Sequence, residues 1–108
     1  MAKSEVWKAT ENAVARRLGG VRTSHRNLGV GGPDVVAGHY VVEVKHTKRP
    51  FPKWLTGGMA QASRYASEGQ LALLVLHQLG KRHDEDLVVI RLADFEQWYG
   101  AVGNKEEE

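Results

Sequence analysis

The sequence predicts an α/β fold, a mixed central sheet of about four or five strands flanked by helices. β-branched runs alternate with segments whose apolar residues have helical spacing, and glycine-rich turns separate them. The hydrophobic content of 42% and the charged content of 26% are typical of a folded domain. In a chain of 108 residues, we expect residues 1–103 to form one domain and residues 104–108 to form a disordered acidic tail.

The first predicted helix begins near Ser4, which can cap its N-terminus, and ends at Gly19-Gly20. Trp7, Val14 and Leu18 fall on one stripe of this helix and are expected to face the core. Glu11 lies on the same stripe. A carboxylate in that place would be buried, so it needs a partner.

A β-hairpin is predicted further along the chain. Residues 21–23 are expected to form a short strand and residues 24–32 a loop. Two β-branched runs, 34–37 and 40–45, then flank Gly38-His39, a pair that fits a two-residue turn of type II′. In the resulting register Asp34 lies opposite Glu43, and Lys45 shares their face of the sheet.

The remaining elements are expected in the second half of the chain. They are a helix over 54–68 with Trp54 in the core, a strand over 71–79 covered on both faces, a charged turn over 80–86, a strand over 87–92, and a final helix capped by Asp94 and ending at Tyr99.

The acids of the hairpin predict a metal centre. Two carboxylates facing each other repel, and a divalent cation neutralises them. Asp34, Glu43 and the Val44 carbonyl offer the oxygen ligands that Mg²⁺ or Mn²⁺ prefers, and the absence of cysteine excludes thiolate sites. Lys45 can orient or deprotonate an attacking water and stabilise developing charge. The alternative is a structural hairpin in which Glu43 and Lys45 form an exposed ion pair.

Pro33-Asp34 followed by Glu43-Val44-Lys45 resembles the signature of the PD-(D/E)xK nuclease superfamily. The closest resemblance, over residues from about 7 to 80, is to the archaeal-type Holliday junction resolvases, which also occur in phages. It implies a restriction-endonuclease-like fold and Mg²⁺-dependent cleavage of branched DNA. It also implies that Glu11 contacts the metal directly or through water, and that Ser24 is a further site residue.

Gln61 and Tyr65 are similar to the Q-x-x-x-Y element of the RecB-like nucleases. On a helix they share a face, so Gln61 is a candidate contact of the metal water or a phosphate while Tyr65 packs. The alternative is an exposed amide. The five histidines show no ligand spacing, and a structural role is expected for each of His39, His46 and His77.

Basic side chains are concentrated in two stretches without acids, 14–33 and 44–67, although the net charge is only +2. Such stretches suit a polyanion, and the alternative is a solvated basic face. The candidate DNA contacts are Arg22, Ser24, His25, Arg26, Lys48, Arg49, Lys53 and Arg64.

Resolution of a junction needs two symmetric cuts, which predicts a homodimer. Its interface is expected near residues 71–76 and Phe95, Trp98 and Tyr99, unless these close the monomer's own core.

No apolar run suggests a membrane span or a signal peptide, so a cytoplasmic protein is expected, in the host cytoplasm if phage-encoded. Two other functions remain open, another nuclease of the superfamily (restriction-type or RecB-like) acting on duplex DNA or DNA ends, and a non-catalytic DNA-binding module.

Overall fold

The computed structural model describes residues 2–23 and 32–100, and it confirms the α/β class. The elements are α1 (Ala2–Leu18), β1 (Val21–Arg22), β2 (Val35–Ala37), β3 (Tyr40–Val42), α2 (Lys53–Tyr65), β4 (Leu74–Leu76), one 3₁₀ turn (His83–Glu85), β5 (Leu87–Val89) and α3 (Leu92–Tyr99). Within the described ranges, no helix is long and apolar enough to cross a membrane.

The five strands form two antiparallel sheets within the described part of the chain, β1-β2-β3 and β4-β5. A single central sheet of four or five strands is therefore not seen there. The chain divides into two compact units. Of the described residues, 2–23, 32–48 and 99–100 form the first unit and 49–98 form the second unit.

Helix α1 ends in a glycine pair that also brings the chain against the sheet. The Gly19 N–H donates to the Arg16 carbonyl at 3.2 Å and the Gly20 N–H donates to the Ala15 carbonyl at 2.8 Å. With φ of 72° at Gly19, this is a Schellman motif. A Cβ on Gly20 would overlap the Val36 carbonyl oxygen and lie 2.6 Å from the Ala37 Cβ. Glycine therefore allows the end of α1 to lie directly on β2.

The buried face of α1 consists of Glu11, Ala15 and Leu18, which follow helical spacing. The helix contacts β1 and β2, and Val35 and Ala37 of β2 are fully buried. The predicted burial of Glu11 is thus confirmed, with 6% of the residue exposed. Two details of the prediction are wrong: Trp7 is 41% exposed, and the helix begins at Ala2, before Ser4.

The β2–β3 hairpin has the predicted register, with Val35 paired to Val42 and Ala37 paired to Tyr40. Gly38 has φ of 58°, and no described residue other than glycine has a positive φ. A positive φ at only the first turn residue identifies type II′, as the sequence predicts.

The buried residues described in the second unit are Met59 of α2 and Ala72, which precedes β4. A Cβ on the neighbouring Gly58 would lie 3.0 Å from a Leu74 methyl, so α2 approaches β4 closely here. Along β4 the side chains of Leu74 and Leu76 are half-buried, whereas Val75 is 53% exposed. The prediction of a strand over 71–79 covered on both faces is therefore wrong.

Candidate active site

Asp34 lies just before β2, at the open end of the hairpin, and backbone hydrogen bonds hold it on both sides. Its N–H donates to the Val42 carbonyl at 2.9 Å, and its own carbonyl accepts the Thr23 N–H at 3.0 Å. The Thr23 hydroxyl also donates to the Pro33 carbonyl. These bonds fix the backbone from which the Asp34 carboxylate projects.

The Asp34 carboxylate reaches across the hairpin to the end of β3. Its Oδ2 accepts the Val44 N–H at 2.7 Å. Val44 is the residue between Glu43 and Lys45, so the bond brings the carboxylate to the E-x-K segment. The paired residues of the β2–β3 ladder end at Val35 and Val42, so the expected Asp34–Glu43 pair is not part of that ladder.

Glu43 and Lys45 form an ion pair, with Lys45 Nζ 3.4 Å from Glu43 Oε2. The side chains are 58% and 86% exposed, respectively. Both residues follow the end of β3 at Val42, so the expectation that they share a face of the sheet stays a prediction. Exposed pairs of this kind contribute about 0–1 kcal/mol, so either side chain can exchange this partner for another at little cost.

Glu11, the buried acid of α1, has a strong protein partner. Arg22 of β1 donates its Nε–H to Glu11 Oε1 at 2.6 Å, and the two side chains are only 15% and 8% exposed. Packing of α1 on β1 brings them together, although they are separated by eleven positions in the chain. The pair neutralises the buried acid without a metal.

Comparison of the chain with protein-family models, with curated proteins and with solved structures finds no match. Its function must therefore be inferred from the residues themselves.

The first unit contains four of the predicted site residues, and three of them, Asp34, Glu43 and Lys45, lie at one end of the hairpin. Asp34 is bonded to the segment that carries Glu43 and Lys45, and Glu11 lies in the helix that packs on β1 and β2. Gln61 is an exposed residue of α2 in the second unit. Tyr65 on the same helix face is 74% exposed, so the expectation that it packs is wrong.

The predicted DNA contacts differ in accessibility. Lys48 is exposed in the first unit, and Arg49, Lys53 and Arg64 are exposed in the second unit. Arg22 is mostly buried against Glu11, and its role as a phosphate contact stays a prediction. Ser24, His25 and Arg26 lie outside the described residues.

The second unit contains a cluster that the spacing of the histidines did not predict. Asp86 Oδ1 lies 2.6 Å from His77 Nδ1, and Asp86 Oδ2 lies 3.1 Å from His83 Nδ1. The two imidazole rings stack, with centroids 4.2 Å apart. Hydrogen bonds from His77, and then from His83, hold the pKa of the Asp86 carboxyl below its usual range.

Two local features position this cluster. Leu76 of β4 pairs with Leu87 of β5, and continuing that register puts His77 opposite Asp86. His83 begins the 3₁₀ turn three residues before Asp86, and residues three apart in a 3₁₀ turn lie above one another. The spacing H-x-x-x-x-x-H-x-x-D is visible in the sequence, but it indicates a cluster only when the register of β4 and β5 is known.

Proposed function

We propose that this chain is a metal-dependent endonuclease that hydrolyses DNA phosphodiesters at branched DNA, in the manner of a Holliday junction resolvase of DNA recombination and repair. The observation that carries the proposal is the hydrogen bond from the Val44 N–H to Asp34 Oδ2, at 2.7 Å. It brings one acid of the signature to the segment that carries the second acid and the lysine.

The donor set suits Mg²⁺, with Mn²⁺ as a substitute. Asp34, Glu43 and the Val44 carbonyl supply oxygen atoms, and Mg²⁺ is commonly held by one or two carboxylates together with water and phosphate. Glu11 is the fourth proposed ligand, directly or through water, and its Oε1 is engaged by Arg22. When bound, the cation would supply Lewis-acid stabilisation of the phosphate and a lowered pKa for the attacking water.

Lys45 is the residue proposed to act on the water and the phosphate. Its ammonium is 86% exposed and is bound to Glu43 by a weak surface pair. It can therefore turn to a substrate phosphate, where it orients the water and stabilises the negative charge that develops on the phosphate oxygens.

DNA binding is assigned to exposed basic side chains of both units. Lys48, Arg49, Lys53 and Arg64 are exposed, as phosphate contacts must be. Such contacts position the substrate without reading its sequence. Arg22, Ser24, His25, Arg26 and Gln61 complete the proposed DNA and site residues.

The finer fold that we propose is the restriction-endonuclease-like one, with a mixed sheet of four or five strands. Its helix-hairpin-helix-strand order agrees with the order α1, β2–β3, α2, β4. Another nuclease of the superfamily would share the same centre and differ in its DNA substrate.

A non-catalytic DNA-binding module is the second candidate, and specific contacts favour it. Each of the three acids already has a protein partner: Glu11 has Arg22, Asp34 has the Val44 amide, and Glu43 has Lys45. A structural hairpin would have the same contacts. Cleavage activity separates the two candidates.

The deciding experiment incubates the purified chain with labelled four-way junction, linear duplex and single-stranded DNA, each with and without Mg²⁺. We expect cleavage of the junction only when the metal is present, since the carboxylates alone do not activate water. Cleavage of duplex or ends in preference to the junction would identify another nuclease of the superfamily. DNA binding without cleavage in Mg²⁺ or Mn²⁺ would identify the non-catalytic module.

We further expect a twofold-symmetric homodimer, because one chain supplies one centre and a junction needs two related cuts. The residues predicted for the interface include Val75 at 53% exposure, Trp98 at 49% and Tyr99 at 44%. Light scattering at micromolar concentration should give twice the mass of the 12.0 kDa chain. A stable monomer that only nicks junctions would exclude the resolvase function and leave the nuclease assignment intact.

A further inference from the structure

We propose that His77, His83 and Asp86 of the second unit bind a divalent transition-metal ion, most favourably Zn²⁺, at a site whose residues differ from those of the nuclease centre. The argument rests on the geometry of three side chains from β4, the 3₁₀ turn and the start of β5.

The ligand atoms already converge. One ligand atom from each residue lies within 4.8 Å of the other two. Zinc binds imidazole nitrogen at about 2.0–2.1 Å and carboxylate oxygen at about 2.0–2.2 Å, which separates neighbouring ligands of a tetrahedral site by about 3.4 Å. The two nitrogen–oxygen distances, 2.6 Å to Asp86 Oδ1 and 3.1 Å to Asp86 Oδ2, each lie within an ångström of that separation.

The chemistry of the donors selects the class of metal. Two imidazole nitrogens and one carboxylate form a borderline set that suits zinc and its neighbours in the first transition row, whereas Mg²⁺ prefers oxygen ligands. Three protein ligands leave one position of a tetrahedral site for solvent. The imidazole of His83 is 83% exposed, so an ion can enter from water.

The site would tie together the two ends of the β4–β5 connection. His77 follows the last residue of β4, and Asp86 precedes the first residue of β5. An ion held by both, and by His83 between them, binds the folded chain better than the unfolded chain and stabilises it accordingly.

Calorimetric titration of the metal-free full chain with ZnCl₂ tests the proposal. We expect the wild-type chain to bind one equivalent of the ion. In His83→Gln this binding should be lost, or its affinity lowered at least about tenfold, since losing even an outer-shell partner typically costs that much affinity. His77→Gln should behave similarly. His39→Gln, which changes an exposed histidine in the first unit, is the matched control and should bind like the wild type. Asp34→Asn should also retain this binding, which separates the site from the nuclease centre.

Two further measurements keep the test decisive. On addition of Zn²⁺, the imidazole NMR signals of His77 and His83 should move together in the wild-type chain while those of His39 and His46 stay, and excess Mg²⁺ should not reverse the change. The melting temperature should rise with Zn²⁺ in the wild type but not in His83→Gln. Wild-type affinity in both His77→Gln and His83→Gln, or signals of His77 and His83 that do not respond to Zn²⁺, would overturn the proposal.

Discussion

Asp34→Asn is expected to lower the cleavage rate by about a thousandfold or more, because it removes a charged ligand from a centre whose parts act as a unit. The asparagine side-chain oxygen can still accept the Val44 N–H, so the hydrogen bond that shapes the hairpin end is retained. The substitution therefore tests charge and metal binding rather than folding. The measurement is single-turnover cleavage of a labelled junction at saturating Mg²⁺.

Asp84→Asn is the matched control, since it makes the same chemical change at an exposed carboxylate of the second unit that lies 3.4 Å from the exposed Arg82. We expect wild-type cleavage in this variant. Cleavage by Asp34→Asn at the wild-type rate would remove Asp34 from the centre. Cleavage that is equally slow in both variants would point to a general effect of lost negative charge.

Glu43→Gln and Lys45→Ala separate the two ends of the exposed ion pair within the same assay. If Glu43 holds the metal and Lys45 acts on water and phosphate, both variants lose turnover while retaining DNA binding. If the pair is only a surface contact, each change leaves cleavage unaltered, since such pairs contribute about 0–1 kcal/mol. Lys53→Ala is the control for Lys45→Ala, because it removes an exposed lysine that is proposed to contact phosphate only.

The hairpin was predictable because local chemistry determines it. Gly38 at the first turn position sets a two-residue turn of type II′, and the turn then fixes the register from Ala37–Tyr40 to Val35–Val42. The β2–β3 ladder ends at Val35, so its register does not predict the contacts of Asp34. The Asp34 N–H bonds to the Val42 carbonyl and its side chain bonds to Val44, contacts that depend on the end of the ladder rather than on residue spacing.

The second unit was less predictable because hydrophobicity alone does not say what covers a side chain. Trp54 was expected in the core but is 65% exposed. The buried position on α2 is Met59, next to a glycine that lets β4 approach. The long apolar run 71–79 contains only the three-residue strand β4, which pairs with the three residues of β5.

Glu11 shows how far the sequence predicts the candidate site. Helical spacing correctly identified a buried acid and its need for a partner, but it did not identify Arg22, because that contact depends on how α1 packs on β1. A metal and an arginine are both physically adequate partners. The contact with Arg22 is observed, and contact with a metal remains a proposal.

Arg22→Met is the change that distinguishes these roles, and we expect it to lower the free energy of unfolding by about 3–5 kcal/mol, because it leaves a buried carboxylate without its counter-charge. Methionine retains much of the apolar stem of arginine, so lost packing contributes little. Arg16→Met, at an exposed position of α1, is the control and should change stability by no more than about 0.5 kcal/mol. Urea denaturation of the metal-free protein measures both values.

The double variant Glu11→Leu with Arg22→Met should recover much of the lost stability, because replacing both members of a buried pair by apolar groups is often neutral or stabilising. Addition of Mg²⁺ then separates the two roles of Glu11. If Glu11 also ligates the metal, Mg²⁺ stabilises Arg22→Met more than it stabilises the wild type, since the freed carboxylate oxygen gains the cation. Equal stabilisation of both proteins would leave Glu11 as the structural partner of Arg22 and confine the metal ligands to Asp34, Glu43 and Val44.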